Sequence, residues 1–447
     1  MALHTFKRGL KLEAKKHATE DTVAEHVPMP KQVVIPINQH FGAPDKSIVN
    51  PGDMVRRGQR IAEGAESGPM TVPVHSSITG VVKKIEPRLI SNNTEGLCVI
   101  IETLEGQNGD ENEDFLPPLD PFSCTKEEAL KRIQDSGIIG MGGAGFPTHV
   151  KFNPPPNKTI DTIIANGAEC EPYLTTDEAV MIKKPEVLIY GLRIVMKITG
   201  VKKAIIGLED NNRKLIPSLQ KEIDKAGCSQ EISIGLCRTL YPQGGEKLLI
   251  KALLGREVPS GGLPMDAGSI VSNVRTLAII AEAFTLGKPL IDRVLTVSGG
   301  ACRKPKNIRA PVGTILSELP PDYLDIDYSA IKKIIYGGPM MGFALPSLSV
   351  PIQKNTSGIL LLTEKEVNAE EEEACIRCSR CLRNCACRLS PVVMNNALIA
   401  GDFAEAKAAG LLDCVECGTC SYVCPARIKL IQRFREGKQK MRLKERA

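Results

Sequence analysis

The chain has no tryptophan, and aromatic residues make up only 4% of its 447 residues. So small a supply of rings argues against a platform on which nucleic-acid bases stack, and no nucleic-acid partner is expected. Histidine is scarce as well, with six in all and none beyond His149. Structural zinc would want four ligands in two separated pairs, often with His, and that pattern is missing. No stretch reaches the roughly 20 consecutive apolar residues of a membrane span. The opening Met1-Ala2-Leu3-His4-Thr5-Phe6-Lys7-Arg8 carries charge where a signal peptide has its apolar core, so a soluble, cytosolic chain is expected. Neither a Walker Gly-Lys-Ser/Thr nor a Ser-His-Asp or Cys-His nucleophile is apparent. What remains is 42% hydrophobic residues, enough to bury cores, in a length that predicts about three domains.

Cysteine is plentiful. Of fifteen, eight stand in two runs, Cys375-x-x-Cys378-x-x-Cys381-x-x-x-Cys385 and Cys414-x-x-Cys417-x-x-Cys420-x-x-x-Cys424-Pro425. This spacing holds [4Fe–4S] clusters, because each iron of the cube takes one thiolate. Ligands at i, i+3 and i+6 wrap one cluster, and in two-cluster proteins the fourth Cys of each run serves the other. The expectation is two clusters, one on Cys375, Cys378, Cys381 and Cys424, the other on Cys414, Cys417, Cys420 and Cys385. The first run continues Ala386-Cys387 where the second has Pro425, which leaves the choice between Cys385 and Cys387 open. A disulfide framework would need an oxidising compartment.

The net charge of +5 is unevenly placed. Residues 427 to 447 carry nine Lys or Arg against Glu436 and Glu445, with Ile428, Leu430, Ile431, Phe434, Met441 and Leu443 interspersed. Two readings stand: a solvated terminal helix that frays, or a face for an anionic membrane surface or acidic partner.

In order along the chain, residues 30 to 105 read as a small all-β unit. Val33 to Ile37 form a strand, turns fall at Pro51-Gly52-Asp53 and Arg57-Gly58-Gln59, and Gly80 turns into another strand. The pattern resembles the biotinyl/lipoyl barrel-sandwich family, whose cofactor sits on a hairpin-tip Lys. Here the tip region is His75-Ser76-Ser77, so a scaffold without carrier role is expected. Glu105 to Asp114 and the following Pro117, Pro118 and Pro121 have linker composition. Residues 125 to 290 alternate helix and strand, as in an α/β unit with a mostly parallel sheet. Strand-like runs at Thr159 to Ala165 and Lys203 to Leu208 flank a helical stretch from Lys184 to Lys197.

Gly140-x-Gly142-x-x-Gly145 matches the dinucleotide fingerprint in letters, but a helix precedes it where the fingerprint follows a strand. Five glycines from Gly137 to Gly145 still allow backbone amides to approach a phosphate or flat ring closely. Gly142-Gly143-Ala144-Gly145-Phe146-Pro147-Thr148 and Asn166-Gly167-Ala168-Glu169-Cys170-Glu171-Pro172 resemble the FMN- and NADH-binding core of the complex I flavoprotein subunit. With the barrel-sandwich unit in front and the twin cysteine runs behind, the chain resembles the RnfC family, peripheral subunits of the membrane-bound Rnf ferredoxin:NAD⁺ oxidoreductase.

The resemblance implies that Gly140, Gly142, Gly143 and Gly145 approach FMN and that Lys151 meets its phosphate. Phe146 would stack on the nicotinamide nucleotide, Asn166 and Glu169 would line the isoalloxazine, and Glu171 would bind the nucleotide. Tyr241, Gly244 and Glu246 match a second flavin segment, and Asn273 a third. Two positions depart from complex I: Ala168 replaces an acid, and Gly245 replaces the acid paired with Glu246. Residues 291 to 362 are strand-rich at Arg293 to Gly300, Pro311 to Thr314 and Ile334 to Gly342. They resemble a soluble-ligand-binding (SLBB) β-grasp domain, with no titratable constellation apparent and a packing role expected. Glu370 to Glu373 suggest a solvated helix start, and Val392 to Ile399 with Phe403 to Leu411 a helical hairpin. Cys170 is taken as a structural thiol.

The expected architecture is a multidomain α/β and β fold. Its units are a barrel-sandwich hybrid at 1–110, a Rossmann-like FMN/NADH-binding α/β core at 120–288, the β-grasp unit at 289–363 and a helical two-[4Fe–4S] ferredoxin domain at 364–447. NAD(H) exchanges two electrons at once and a cluster one, so a flavin between them makes a coherent path. The expected role is exchange of electrons between NAD(H), FMN and the clusters, coupled in the complex to Na⁺ or H⁺ movement. Partners would be membrane and ferredoxin-type Rnf subunits, with peripheral association on the cytoplasmic side of the membrane. The alternatives are a cobalamin reductase of bacterial microcompartments, which shares much of this architecture, and a flavin-less ferredoxin-like adaptor.

Overall fold

A computed structural model describes residues 2–64, 68, 70–104, 113–368 and 370–446. The chain opens with β1 (Leu3–His4) and β2 (Glu25–His26), and neither joins the barrel-sandwich unit expected to begin at residue 1. Both are edge strands of later sheets, satisfying their ladder groups there. The β-sandwich proper runs through β3 (Gln32–Pro36), β4 (Asp45–Ser47), β5 (Met54–Val55), β6 (Arg60–Gly64), β7 (Val74–His75), β8 (Gly80–Leu89) and β9 (Glu95–Glu102). Two sheets, β3-β9-β8-β5 and β4-β6-β7, enclose alternate inward residues such as Val33, Ile35, Val99 and Ile101. Gly80 begins β8, and the bend falls at residues 77–79 instead.

His75-Ser76-Ser77 is not an exposed tip. All three are buried, and Ser77 donates its hydroxyl to the Val312 carbonyl of the later β unit at 2.5 Å. The hairpin is tucked into an internal junction, where a carrier arm would have no freedom. Of the expected linker, residues 105–112 lie outside the described residues.

The α/β unit contains α1 (Lys126–Asp135), α2 (Thr148–Lys151), β10 (Thr162–Gly167), α3 (Thr176–Lys183), α4 (Pro185–Thr199) and β11 (Ala204–Glu209). It continues with α5 (Ile216–Lys225), β12 (Ile232–Cys237), α6 (Glu246–Leu254), β13 (Ser269–Asn273) and α7 (Val274–Thr285). Its sheet, β1-β12-β11-β10-β13, is parallel throughout, as expected. Every residue of β11 is buried, since helices cover both faces of such a sheet. A capping box of Thr125 and Glu128 starts α1. Gly191 lets α4 pack against α7, because a Cβ there would collide with the Leu277 carbonyl. The strand expected from Thr159 starts at Thr162, and α3 is an addition to the expected elements.

A mixed sheet follows, β17-β16-β18-β14-β15-β2, from β14 (Asp292–Ser298), β15 (Lys306–Pro311), β16 (Lys333–Tyr336), β17 (Phe343–Leu345) and β18 (Gly358–Leu362), with the short α8 (Pro321–Leu324). Pro311 closes β15, and Val312 to Thr314 form the connection after it. The expectation of no titratable constellation is corrected here. Asp292 interlocks with Lys288 and Arg309, and Arg309 also pairs with Glu282 at 2.9 Å. Burial alone would raise the Asp292 carboxyl, but Lys288 and Arg309 hold it well below the usual range. These charges are dispersed in sequence and meet only in the fold.

The last part consists of α9 (Arg380–Asn384), α10 (Pro391–Ile399), α11 (Phe403–Ala408), α12 (Thr419–Tyr422) and α13 (Leu430–Arg446). The α10–α11 hairpin is as expected. Glu370 to Glu373 are not helical: Glu370 and Glu373 pair with Arg427, and Glu372 pairs with Arg433. The basic tail is also corrected in its apolar part. Ile428, Leu430, Ile431, Phe434 and Met441 are buried in this unit's own core, leaving Leu443 as the exposed member of the set. Among the described residues no helix is long and apolar enough to cross a membrane.

Candidate functional site

The glycine-rich segment is a closed loop between α1 and α2. The Gly140 N–H donates to the Phe146 carbonyl at 2.8 Å, and the Thr148 N–H to the Ile138 carbonyl at 3.1 Å. Its crest is fixed from below, where the Thr276 hydroxyl accepts from the Met141 N–H at 3.0 Å. Gly142, at φ +150°, Gly143 and Ala144 are exposed. A Cβ on Gly142 would press on the Asn273 side chain at 3.3 Å, whereas one on Gly143 would point into open space. The loop therefore presents bare backbone next to Asn273. Phe146 stacks on Phe41 from the β-sandwich, with centroids 6.2 Å apart.

The ends of β10 and β13 supply the facing side. Their parallel register sets Asn166 beside Asn273 at the carboxyl edge of the sheet, where open α/β sheets take ligands. The Asn166 amide donates to the Gly244 carbonyl at 2.8 Å. Asn273 caps α7 by accepting from the Arg275 N–H, and its amide donates to Asp177 at 3.0 Å. Lys151 donates to the Val271 carbonyl at 3.0 Å and pairs with Glu246 at 3.3 Å. Gly244 is required by close approach, since a Cβ would collide with the Ala168 carbonyl. Gly142, Lys151, Asn166, Gly244, Glu246 and Asn273 are thus gathered around one edge, with Gly143 exposed beside them, while Gly140 lies against Phe146 and Gly145 against Ile139 and the β-sandwich. Asp177 and Arg275, paired at 2.6 Å beneath Asn273, escape sequence reasoning. An acid in a helix first turn and an Arg after an N-cap carry no signal of their own.

Three expected contacts are engaged elsewhere. The Glu169 carboxylate accepts from the Thr176 N–H, the Thr176 hydroxyl and the Asp177 N–H, at 2.7–3.1 Å, and so caps α3. Glu171 accepts from the Met340 and Met341 N–H groups at 3.0 and 2.9 Å. Burial pushes its pKa up to about 7 despite those bonds. Tyr241 is buried, and its hydroxyl donates to the Cys417 carbonyl at 2.6 Å. The resemblance implies flavin contacts for Glu169 and Tyr241 and a nucleotide contact for Glu171, but the Glu169 carboxylate caps a helix of its own unit, and the polar atoms of Glu171 and Tyr241 serve joints between units. Cys170 accepts from the Gly244 N–H through its sulfur at 3.3 Å, and burial raises its pKa well above the ordinary thiol value, consistent with a structural thiol.

The two cysteine runs have matching backbones. Arg377, Ser379 and Arg388 take left-handed φ values of 54°, 60° and 58°. The residues at the same places in the second run, Glu416, Gly418 and Arg427, take 55°, 79° and 57°. Five of these six are not glycine, and side-chain-bearing residues adopt this region only under outside constraint. The thiols also group crosswise. Besides burial, the charges that raise the Cys381 pKa are those of Cys424, Cys375 and Cys378. For Cys420 they are Cys414, Cys417 and Cys385. Cys387 borders Cys385, Cys417 and Cys414, so both candidates stand at the second group. Backbone N–H groups of Leu389 and Glu416 donate to the sulfurs of Cys385 and Cys414 at 3.4 Å each. Among the described residues no three metal-binding side chains converge as on a single ion. The thiols around an iron–sulfur cube stand apart, one at each iron.

Residues 4–105 match the RnfC barrel sandwich hybrid domain, and residues 133–282 the Nuo51 FMN-binding domain. A component of the proton-translocating ferredoxin:NAD(+) oxidoreductase complex of Clostridium ljungdahlii is 42% identical over 97% of this chain and 93% of that protein. The chain belongs to the RnfC family. Another family member, from the Na(+)-translocating ferredoxin:NAD(+) oxidoreductase complex of Acetobacterium woodii, is 39% identical over 87% of this chain and 86% of its own. A third, from the ion-translocating oxidoreductase complex of Rhodobacter capsulatus, is 36% identical over 98% and 83%. An NAD+-reducing [NiFe]-hydrogenase crystal structure in the H2-reduced state shares the fold. Its TM-score is 0.50 at 20% identity, over 72% of this chain and 64% of that one. The complex I flavoprotein-like core and the barrel-sandwich unit are therefore established for this RnfC family member.

Proposed function

We propose that this chain is the NAD(H)-handling, FMN-bearing and iron–sulfur subunit of an ion-translocating ferredoxin:NAD⁺ oxidoreductase. The observation that carries the reading is the joining of a bare glycine cradle to two matched cysteine loops within one chain. Family membership and the FMN-domain match support it. The units are 1–110, 120–288, 289–363 and 364–447, with the N-terminal strands lent to neighbours. We assign the third as SLBB β-grasp and the fourth as a helical ferredoxin domain. It associates peripherally with membrane and ferredoxin-type subunits on the cytoplasmic side.

When bound, FMN exchanges two electrons with a nicotinamide and single electrons with a cluster. The chain's own residues bind and orient. Gly142, Gly143 and Gly145 would bring amides close in a loop that the Gly140 N–H closes on Phe146, Lys151 would meet the phosphate, and Asn166, Gly244, Glu246 and Asn273 would line the sheet edge. Phe146 offers a ring to the nucleotide. Lys151 is half-released for an anion, since its partner Glu246 is 43% exposed and the pair is long. Cys375, Cys378, Cys381 and Cys424 would hold one cluster, and Cys414, Cys417, Cys420 and Cys385 the other. The loop of the second run is tied to the flavin-type core, where Tyr241 donates to the Cys417 carbonyl.

The test is anaerobic reconstitution with iron, sulfide and FMN, followed by NADH, tracking flavin bleaching and cluster EPR. Flavin reduction followed by reduced-cluster signals is expected. Assembled clusters beside a flavin that stays oxidised, or never binds, would favour the adaptor role.

A further inference from the structure

Glu171 sits where three units meet. Its two oxygens accept from the backbone of Met340 and Met341 in the β-grasp unit, and a Cβ on Gly338 would collide with the carboxylate. The turn from Gly338 to Met341 is thus wrapped around this one side chain. The same turn receives the second cysteine loop. A Cβ on Gly418 would press on the Met340 carbonyl at 2.7 Å, and Arg435 donates to the Met341 carbonyl at 2.9 Å while pairing with Glu416 at 3.2 Å. Tyr241 completes the joint from the flavin-type core. Its hydroxyl donates to the carbonyl of Cys417, the middle ligand of its run, at 2.6 Å. A buried hydroxyl and a carboxylate with all their bonds directed at backbone are positioning groups, and such bonds are costly to leave unmade.

We propose that Glu171 and Tyr241 form a positioning strap that holds the Cys414–Cys424 loop at a fixed place against the flavin-type core. The strap rests on the functional reading above and adds to it the residues that set the core-to-cluster spacing. It separates two properties that a motif match would merge. Loss of the strap should spare the nicotinamide side of the site and impair passage of electrons onward, because neither polar group faces the glycine cradle.

The experiment compares Tyr241→Phe and Glu171→Gln with the parent as full-length, reconstituted protein, by backbone hydrogen exchange and stopped-flow. For Tyr241→Phe, amide exchange in residues 414–424 should rise at least tenfold. Cluster reduction after the flavin should slow at least fivefold, and flavin reduction by NADH should stay within twofold. Glu171→Gln should raise exchange at Met340 and Met341 in addition. Exchange and transfer both within twofold of the parent would overturn the strap, as would equal slowing of both electron steps. If NADH fails to reduce the parent's flavin, the functional reading falls. Exchange in residues 414–424 then decides the strap alone: a tenfold rise upholds it, and no rise overturns it.

Discussion

The ammonium of Lys354, between β17 and β18, donates to the carbonyl of Gly137 at 2.8 Å, at the root of the glycine-rich loop. It also donates to the Pro73 carbonyl of the β-sandwich at 2.9 Å and is itself fully buried. One side chain thus ties the three units behind the cradle. Burial pulls its pKa down to about 7, partly offset by Asp45.

Lys354→Met should destabilise the protein by about 1–3 kcal/mol at pH 8, because two carbonyls lose their donor. The folded protein releases the Lys354 proton near pH 7, whereas the unfolded chain holds it to about 10.5. Parent stability should therefore gain on the variant as pH rises from 7 towards 10, the unfolded state binding more protons there. Urea midpoints at pH 7, 8 and 9 measure both effects.

Asp45 should act in the opposite sense. Burial raises its carboxyl to about 7, against the pull of Lys354. Between about pH 4 and 7 the folded state keeps a proton that the unfolded state has lost, so this residue adds stability as pH falls through 7. Asp45→Asn should flatten that rise, as seen in thermal midpoints from pH 5 to 8.

Lys151→Ala should weaken FMN binding by roughly ten- to a hundredfold, the loss of one charge-assisted hydrogen bond. Quenching of flavin fluorescence on titration into flavin-free protein reads it directly.

Cysteine replacements should sort the ligands. Cys424→Ala and Cys385→Ala should each cut iron from about eight to about four per chain, losing different EPR signals. Cys387→Ala should retain all of it. Equal loss from Cys387→Ala and none from Cys385→Ala would exchange their roles.

The cysteine runs are the most legible feature of the sequence, because covalent ligation ties spacing directly to chemistry. The parallel sheet is legible in runs such as Ala204 to Leu208, whose continuous hydrophobicity reflects burial on both faces. Glu169, Glu171 and Tyr241 are harder to read. A motif fixes which residues occupy a loop but not which partner outside it takes their polar atoms, and Thr176 lies in the next helix while Met340 and Cys417 are far away in sequence. The Asp292–Lys288–Arg309 network is invisible for the same reason. The apolar residues of α13 are plain in the sequence, but only the packed helix shows that they face inward.

The strand formed by Leu3 and His4 pairs with Leu236 and Cys237, and Glu25 and His26 pair with Ile308 and Arg309. These early residues leave the ribosome long before their partners exist. The first segment of the chain must therefore wait, unpaired, until the α/β and β-grasp sheets are made. During synthesis the edges it covers can be closed only after those sheets have been made.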